Sequence, residues 1–287
     1  MHIVHTIGEL RQAISAAARP AFVPTMGNLH RGHLSLLEIA RQLGDCTVAS
    51  IFVNRLQFLS GEDFDRYPRT WDADCKALAS HGCDVLFAPR EEDLYPEPQR
   101  YKVAADPALA SKLEGGFRPG FFDGVCTVVL KLFMAVFAGK SKGIAVFGKK
   151  DYQQLRIVEA MTRQFALPVD IIAAETARDD DGLALSSRNS YLSIDQRKQA
   201  SDLYQQLLGF AQGYRLRAGD QTIEAWVKGA EKTAVEQLQM QGWQVDYLSL
   251  RRCEDLEPAY EGHRLVVLAA AKLGHAASRM DCHKLDI

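Results

Sequence analysis

Between residues 21 and 175 the chain alternates short apolar runs with longer segments whose apolar residues recur every three or four positions, and few folds accept that alternation. AFVPT (21–25), CTVASIFV (46–53), DVLFAP (84–89), GIAVFG (143–148) and PVDIIAA (168–174) have the length and character of buried strands. LSLLEIARQL, TWDADCKALASHG, GVCTVVLKLFMAVFAG and KDYQQLRIVEAMTRQFA lie between them with helical period. Strands joined by helix-length crossovers cannot pair as tight hairpins, so they imply a mostly parallel sheet with helices on both faces. The expectation is an α/β fold, a Rossmann-like doubly wound parallel sheet, with ligands bound beyond the carboxyl ends of the strands.

The rhythm changes after residue 175. ARDDDGLALSSRNSYLS (177–193) is polar and rich in turn formers; two helical stretches follow (195–215 and 222–240), then the strand-like runs WQVDYLSL (243–250) and HRLVVLAAAKL (263–273). A domain boundary is expected near Thr176, with a larger domain over 1–176 and a smaller α+β domain over 177–287. With 34 Lys and Arg against 36 Asp and Glu, a net charge of −2 creates no global field for nucleic acid or an anionic membrane, so neither is an expected partner. The start, MHIVHTIGEL, lacks the basic and apolar regions of a signal peptide, and no run approaches a membrane span, so a cytoplasmic location is expected. Six cysteines, Cys46, Cys75, Cys83, Cys126, Cys253 and Cys282, form no CxxC pair and read as buried reduced thiols.

The chemistry concentrates in PTMGNLHRGHLSLLEIARQL (24–43), where a strand ends in a glycine-containing turn and a helix begins, with His30 and His33 at that helix start. Free backbone N–H groups and the positive helix end attract phosphate, Gly27 and Gly32 permit close approach, and two imidazoles can donate to a polyphosphate undergoing substitution. No GxxxxGK[ST] occurs, so attack on an α-phosphate with loss of pyrophosphate is a better reading than phosphoryl transfer from a P-loop.

PTMGNLHRGH resembles the HxGH signature of the nucleotidyltransferase superfamily, and its full wording resembles the pantothenate synthetase family, the pantoate–β-alanine ligases. IFVNRLQF, YPRTWDADCKAL, GVCTVVLKLF, VFGKKDYQQL and DGLALSSRNSYLS agree with that family in order and spacing. The resemblance implies condensation of pantoate with β-alanine through a pantoyl adenylate, consuming ATP and releasing AMP and pyrophosphate. It implies His33, His30, Lys150 and Arg188 as catalytic groups, His33 being the proton donor. ATP is expected against Met26, Gly27, Asn28, Leu29, His30, Arg31, Gly32, His33, Gly148, Lys149, Lys150, Asp151, Ala177, Leu185, Ser186, Ser187 and Arg188. Gln57 and Gln154, with Asn54 and Arg118, are expected to hold pantoate and β-alanine. Asp74 matches the family's magnesium-associated acid, so Mg²⁺ is the expected cofactor; on residues alone Asp72 and Asp74 equally suit N-terminal caps. The run Asp179 to Asp181 reads as a solvated turn rather than a metal site. Family likeness further implies a homodimer, and a 177–287 domain that closes as a lid over the triphosphate through Ser187 and Arg188, excluding water from the adenylate.

Four positions depart from the family pattern: Phe121 stands where histidine is usual, Lys149 for glutamate, Arg55 for proline and Met134 for a polar residue. Retention of His30, His33, Gln57, Lys150, Gln154, Ser187 and Arg188 favours a working site over a noncatalytic nucleotide-sensing relative, and the glutamine pair argues against another HxGH nucleotidyltransferase.

Overall fold

In the computed structural model, which describes residues 1–217 and 221–273 and the backbone of 279–280, six strands pair in parallel. They are β1 (His2–Val4), β2 (Pro20–Thr25), β3 (Cys46–Ile51), β4 (Val85–Phe87), β5 (Gly143–Gly148) and β6 (Val169–Ala174), in the order β1-β4-β3-β2-β5-β6. From β2 the chain moves outward through β3 and β4, then returns to lay β5 on the other flank of β2, where Ala21 pairs with Ile144. That reversal is a topological switch point, and the crevice it leaves lies beyond the carboxyl ends of β2 and β5. The expected α/β architecture is therefore present.

Alternation along the strands divides the core. Ala21 and Val23 of β2 join Ile144 and Val146 of β5, Ala49, Leu86, and the helix residues Leu37, Ala40 and Leu78. Phe22 points to the opposite face, where Phe133 and Phe137 of the helix Phe121–Phe137 meet it edge-on at 6.4 and 6.3 Å. Phe133 also meets Phe147 of β5 at 6.3 Å. The helix Phe121–Phe137 is apolar on nearly every side because it is buried on nearly every side.

Two compact units emerge: Met1–Asp106, Arg118–Gly148 and Ile157–Glu175 form the first; Pro107–Phe117, Lys149–Arg156 and Thr176–Ile287 form the second. In the second, β7 (Trp243–Arg252) and β8 (Leu265–Leu273) pair antiparallel with a register shift between Val245 and Tyr247, and the two-residue β9 (Arg279–Met280) pairs with β8. Leu203, Leu207 and Phe210 of the helix Asp202–Arg215 and Leu238 of the helix Ile223–Met240 close over Leu248, Leu250, Leu265, Val267 and Ala269.

Several elements differ from expectation. β1 and the helix Ile7–Ala13 were not foreseen, β3 stops at Ile51, and the helix expected from residue 150 opens as a 3-10 turn, Lys149–Asp151, becoming α-helical only at Tyr152. The stretch 195–215 is two helices, Ile194–Gln199 and Asp202–Arg215. Ser201 stands at the break and its hydroxyl donates to the Lys198 carbonyl at 3.1 Å, a local bond that competes with the helical ladder. Cys46, Cys75, Cys83, Cys126 and Cys253 are free thiols, but Cys46 and Cys75 are only half-buried, and Cys282 lies outside the described residues.

Candidate active site

Leaving β2, the chain passes through Gly27 (φ +81°) and Asn28 (φ +50°), a left-handed pair that turns it sharply into the helix Arg31–Leu43. A side chain at Gly27 would be strained in that conformation, and its Cβ would stand 3.1 Å from Ile51 Cγ2 and 3.2 Å from Asp74 Oδ2. Asp74 holds the turn. Its carboxylate accepts from the Asn28 N–H at 2.9 Å, the Leu29 N–H at 2.8 Å and the Thr70 hydroxyl at 3.1 Å.

This geometry bears on the expected magnesium. Asp74 is 3% exposed and its carboxylate already takes three protein donors, two on Oδ1 and one on Oδ2, which disfavours it as an inner-sphere ligand. Among the described residues no cluster of three or more His, Cys, Asp or Glu is placed to hold a metal. Asp74 anchors the backbone path of the HxGH turn.

His30 and His33 cap the helix reciprocally: the Gly32 N–H donates to His30 Nδ1 at 3.2 Å, and the His30 N–H donates to His33 Nδ1 at 3.3 Å. The rings lie 4.0 Å apart and 30° from parallel. Because Nδ1 of each ring accepts, the neutral tautomers carry their protons on Nε2, which makes each imidazole a donor at its far edge. No acidic residue occupies the first turn of the helix itself, so its own side chains do not neutralise the positive end.

The same unit holds three of the four expected substrate residues, Asn54, Gln57 and Arg118. Asn54 is buried at 1% exposure, and Gln57 closes the 3-10 turn Arg55–Gln57 that follows β3. Asn54 Nδ2 donates to Gln57 Oε1 and to the Gly124 carbonyl, each at 3.1 Å. Gln57 Nε2 reaches Met26 Sδ at 3.2 Å, which ties the glutamine to the end of the β2 turn. Arg118, expected to touch substrate, is committed to protein groups: Nε donates to Glu62 Oε1 at 2.7 Å, Nη2 donates to the Gln57 carbonyl at 3.2 Å, and the guanidinium lies 3.7 Å from the Phe121 ring centre. Phe121 therefore stacks on the arginine that supports Gln57. Of the other departures, Arg55 lies over Phe64 at 3.9 Å and Met134 is 52% exposed on the outer surface of its helix. Gly148 ends β5 opposite Ala174 of β6.

The second unit carries the remaining residues. Lys149, Lys150 and Asp151 share one 3-10 turn; Lys150 Nζ lies 3.5 Å from Asp151 Oδ1, and Lys149 is half-buried. Gln154 is half-buried one turn further on, while its neighbour Gln153, at 2% exposure, accepts from the Glu114 N–H at 3.0 Å and donates to the Leu109 and Lys112 carbonyls at 2.8 Å. Gln153 fastens the start of this helix, a role nothing in the sequence signals. Ala177 and Leu185 meet in a small hairpin, the Leu185 N–H donating to the Ala177 carbonyl at 2.9 Å. The hairpin delivers the chain to Ser186, whose hydroxyl accepts from the Arg188 N–H at 3.3 Å and caps the 3-10 turn Ser187–Tyr191. Asp179 and Asp181 are ion-paired rather than merely solvated: Arg197 binds them at 2.7 and 2.5 Å, and its hydrogen bond holds the Asp181 carboxyl below the usual carboxylate range.

A parallel sheet whose strand order reverses beside a strand–turn–helix bearing paired histidines defines a nucleotide-binding α/β protein of the HxGH class. The chain matches the pantoate-beta-alanine ligase family over residues 2–281 and belongs to it. It is 57% identical over 277 residues to a pantothenate synthetase of Paracidovorax citrulli, covering 96% of each chain. It is 56% identical over 278 residues to that of Verminephrobacter eiseniae, covering 95% of this chain and 96% of the other. A crystal structure of pantothenate synthetase from Thermus thermophilus superposes with a TM-score of 0.88 at 41% identity, covering 100% of this chain and 99% of that one. A pantoate-beta-alanine ligase from Francisella tularensis, complexed with beta-gamma ATP and beta-alanine, superposes at 0.77 with 29% identity, covering 100% and 97%. The chain is an ATP-using C–N ligase that joins pantoate to β-alanine to give pantothenate. No described helix is long and apolar enough to cross a membrane.

Proposed function

We propose that the ligation runs in two steps on the residues named above. A carboxylate oxygen of pantoate attacks the α-phosphorus of ATP; the bond to the bridging oxygen breaks, and pyrophosphate leaves with that oxygen's charge. The neutral amine of β-alanine then attacks the acyl carbon, AMP departs, and the amine nitrogen gives up a proton as the amide forms. Charge accumulates on the leaving pyrophosphate in the first step, so that step needs donors fixed before the reaction begins. The Nε2–H groups of His30 and His33, at the N-terminus of the helix Arg31–Leu43, meet that need, with His33 the proton donor. Lys150, Ser187 and Arg188 add cationic and hydroxyl donors toward the phosphates, the remaining 26–33, 148–151, 177 and 185–188 positions line the nucleotide, and Gln57 and Gln154 hold pantoate.

The reciprocal histidine cap carries this reading, because Nδ1 of each ring accepts a backbone N–H and so leaves the neutral ring's proton on Nε2 as a donor. Magnesium belongs to the proposal as the companion of ATP, held mainly by the nucleotide's own phosphates, since the Asp74 carboxylate that family likeness assigns to it is largely taken up by the turn. So do the division at 176, closure of the 177–287 domain as a lid, a homodimer and a cytoplasmic location. Incubation with ATP, Mg²⁺ and pantoate, with and without β-alanine, tests the two steps. Isotope exchange between pyrophosphate and ATP that requires pantoate but no amine is expected, and its absence overturns the adenylate. Identical solution-scattering profiles with and without ATP plus pantoate would sink the lid, and a monomer by light scattering at micromolar concentration would sink the dimer.

A further inference from the structure

An amide side chain reads its ligand by which end faces it: Nε2 donates and Oε1 accepts. The end that Gln57 presents is set by a buried chain of hydrogen bonds that begins at a carbonyl. The Gly124 carbonyl can only accept, so the Asn54 atom 3.1 Å from it is the amide nitrogen. With Nδ2 fixed there, Nδ2 also donates to Gln57 Oε1, and Asn54 Oδ1 faces Tyr95, whose hydroxyl donates to it at 3.1 Å. Gln57 Oε1 is thereby used inside the protein, while Nε2, the opposite end of the amide, meets among the described residues only the weak acceptor Met26 Sδ at 3.2 Å. Asn54 is 1% and Tyr95 9% exposed, so water does not compete for these bonds.

We propose that Tyr95 is a positioning residue for pantoate: acting through Asn54, it holds the Gln57 amide with its N–H donors toward the substrate, selecting a ligand that offers an oxygen acceptor there. This rests on the reading of Gln57 as a pantoate residue. The hydroxyl is separable from the ring. Tyr95 packs against Phe52 at 5.8 Å between ring centres, and Lys131 Nζ lies 4.6 Å above it, contacts that phenylalanine retains. Burial raises the phenol's proton affinity, so the hydroxyl remains a donor throughout the working pH range.

The test is a kinetic double-mutant cycle on the full chain: wild type, Tyr95→Phe, Gln57→Ala and the double variant, at saturating ATP and β-alanine. Loss of one buried hydrogen bond in the relay should raise the pantoate KM about threefold to tenfold in Tyr95→Phe, with the ATP KM near wild type and the melting temperature modestly lowered by the unsatisfied Asn54 Oδ1. In the Gln57→Ala background the same change should add almost nothing, because the amide it orients is gone. An unchanged pantoate KM in Tyr95→Phe overturns the proposal, as does an equal effect with and without Gln57. If Gln57→Ala itself leaves the pantoate KM unmoved, the assignment of pantoate to Gln57 fails and the relay loses its purpose, an outcome distinct from full additivity.

Discussion

At the scale of single residues, capping and chemistry coincide in the histidine pair and can be separated by substitution. Asparagine is a strong N-cap, so His30→Asn keeps an acceptor for the helix while removing the imidazole. We expect a melting temperature close to wild type and pyrophosphate release slowed about 10²- to 10³-fold, the usual effect of losing one donor to developing charge. Wild-type turnover in this variant would reduce His30 to a cap. Asp74 offers the converse case. In Asp74→Asn one of the two backbone donors, Asn28 N–H or Leu29 N–H, faces an amide NH₂ and is left unsatisfied, which costs about 1–3 kcal/mol in urea unfolding. Turnover falls with the displaced turn, while the Mg²⁺ concentration for half-maximal activity stays put. A large shift in that midpoint would return the carboxylate to the metal.

At the scale of elements, the helix Phe121–Phe137 reaches the turn Arg55–Gln57 through Gly124, where a built Cβ would sit 2.0 Å from the Leu56 carbonyl oxygen and 2.8 Å from the Gln57 nitrogen. Backbone cannot yield as a flexible side chain does, so Gly124→Ala displaces the turn or the helix at a cost of about 1–3 kcal/mol. A higher pantoate KM should accompany the lower stability; an unaltered KM would mean that the helix, not the turn, moved. The strands and the longer helices were legible from periodicity because burial on one face writes a period into the sequence. β1 was not, since three residues carry no period and it exists by pairing with β4. The candidate site divides along the same line. The histidines and glutamines could be read from motif spacing, but Tyr95 lies 41 positions from Asn54, and Asp74 lies 46 from Asn28. Contacts of that kind are made by the fold and leave no local signal.

At the scale of the molecule, stability and ligand binding meet in the first unit, and two of its cysteines can report on both. Burial pushes the Cys83 and Cys126 thiols up to about 12. Only a thiolate alkylates, so at pH 8 each native thiol is reactive to about one part in ten thousand, before steric exclusion is counted. Cys83 belongs to the core under the sheet and Cys126 to the buried helix Phe121–Phe137, so exposing either requires the unit to open. Iodoacetamide labelling of these two peptides, followed by mass spectrometry, should therefore proceed at one common rate set by opening, while half-buried Cys75 labels faster. A ligand that binds only the folded state at about 100 times its Kd lowers the open population about 100-fold. ATP with pantoate should then slow Cys83 and Cys126 together by up to that factor and leave Cys75 less affected. Unequal protection of the two buried thiols would show that the sheet and the helix Phe121–Phe137 open separately, so that the binding residues at their junction are not stabilised as one body.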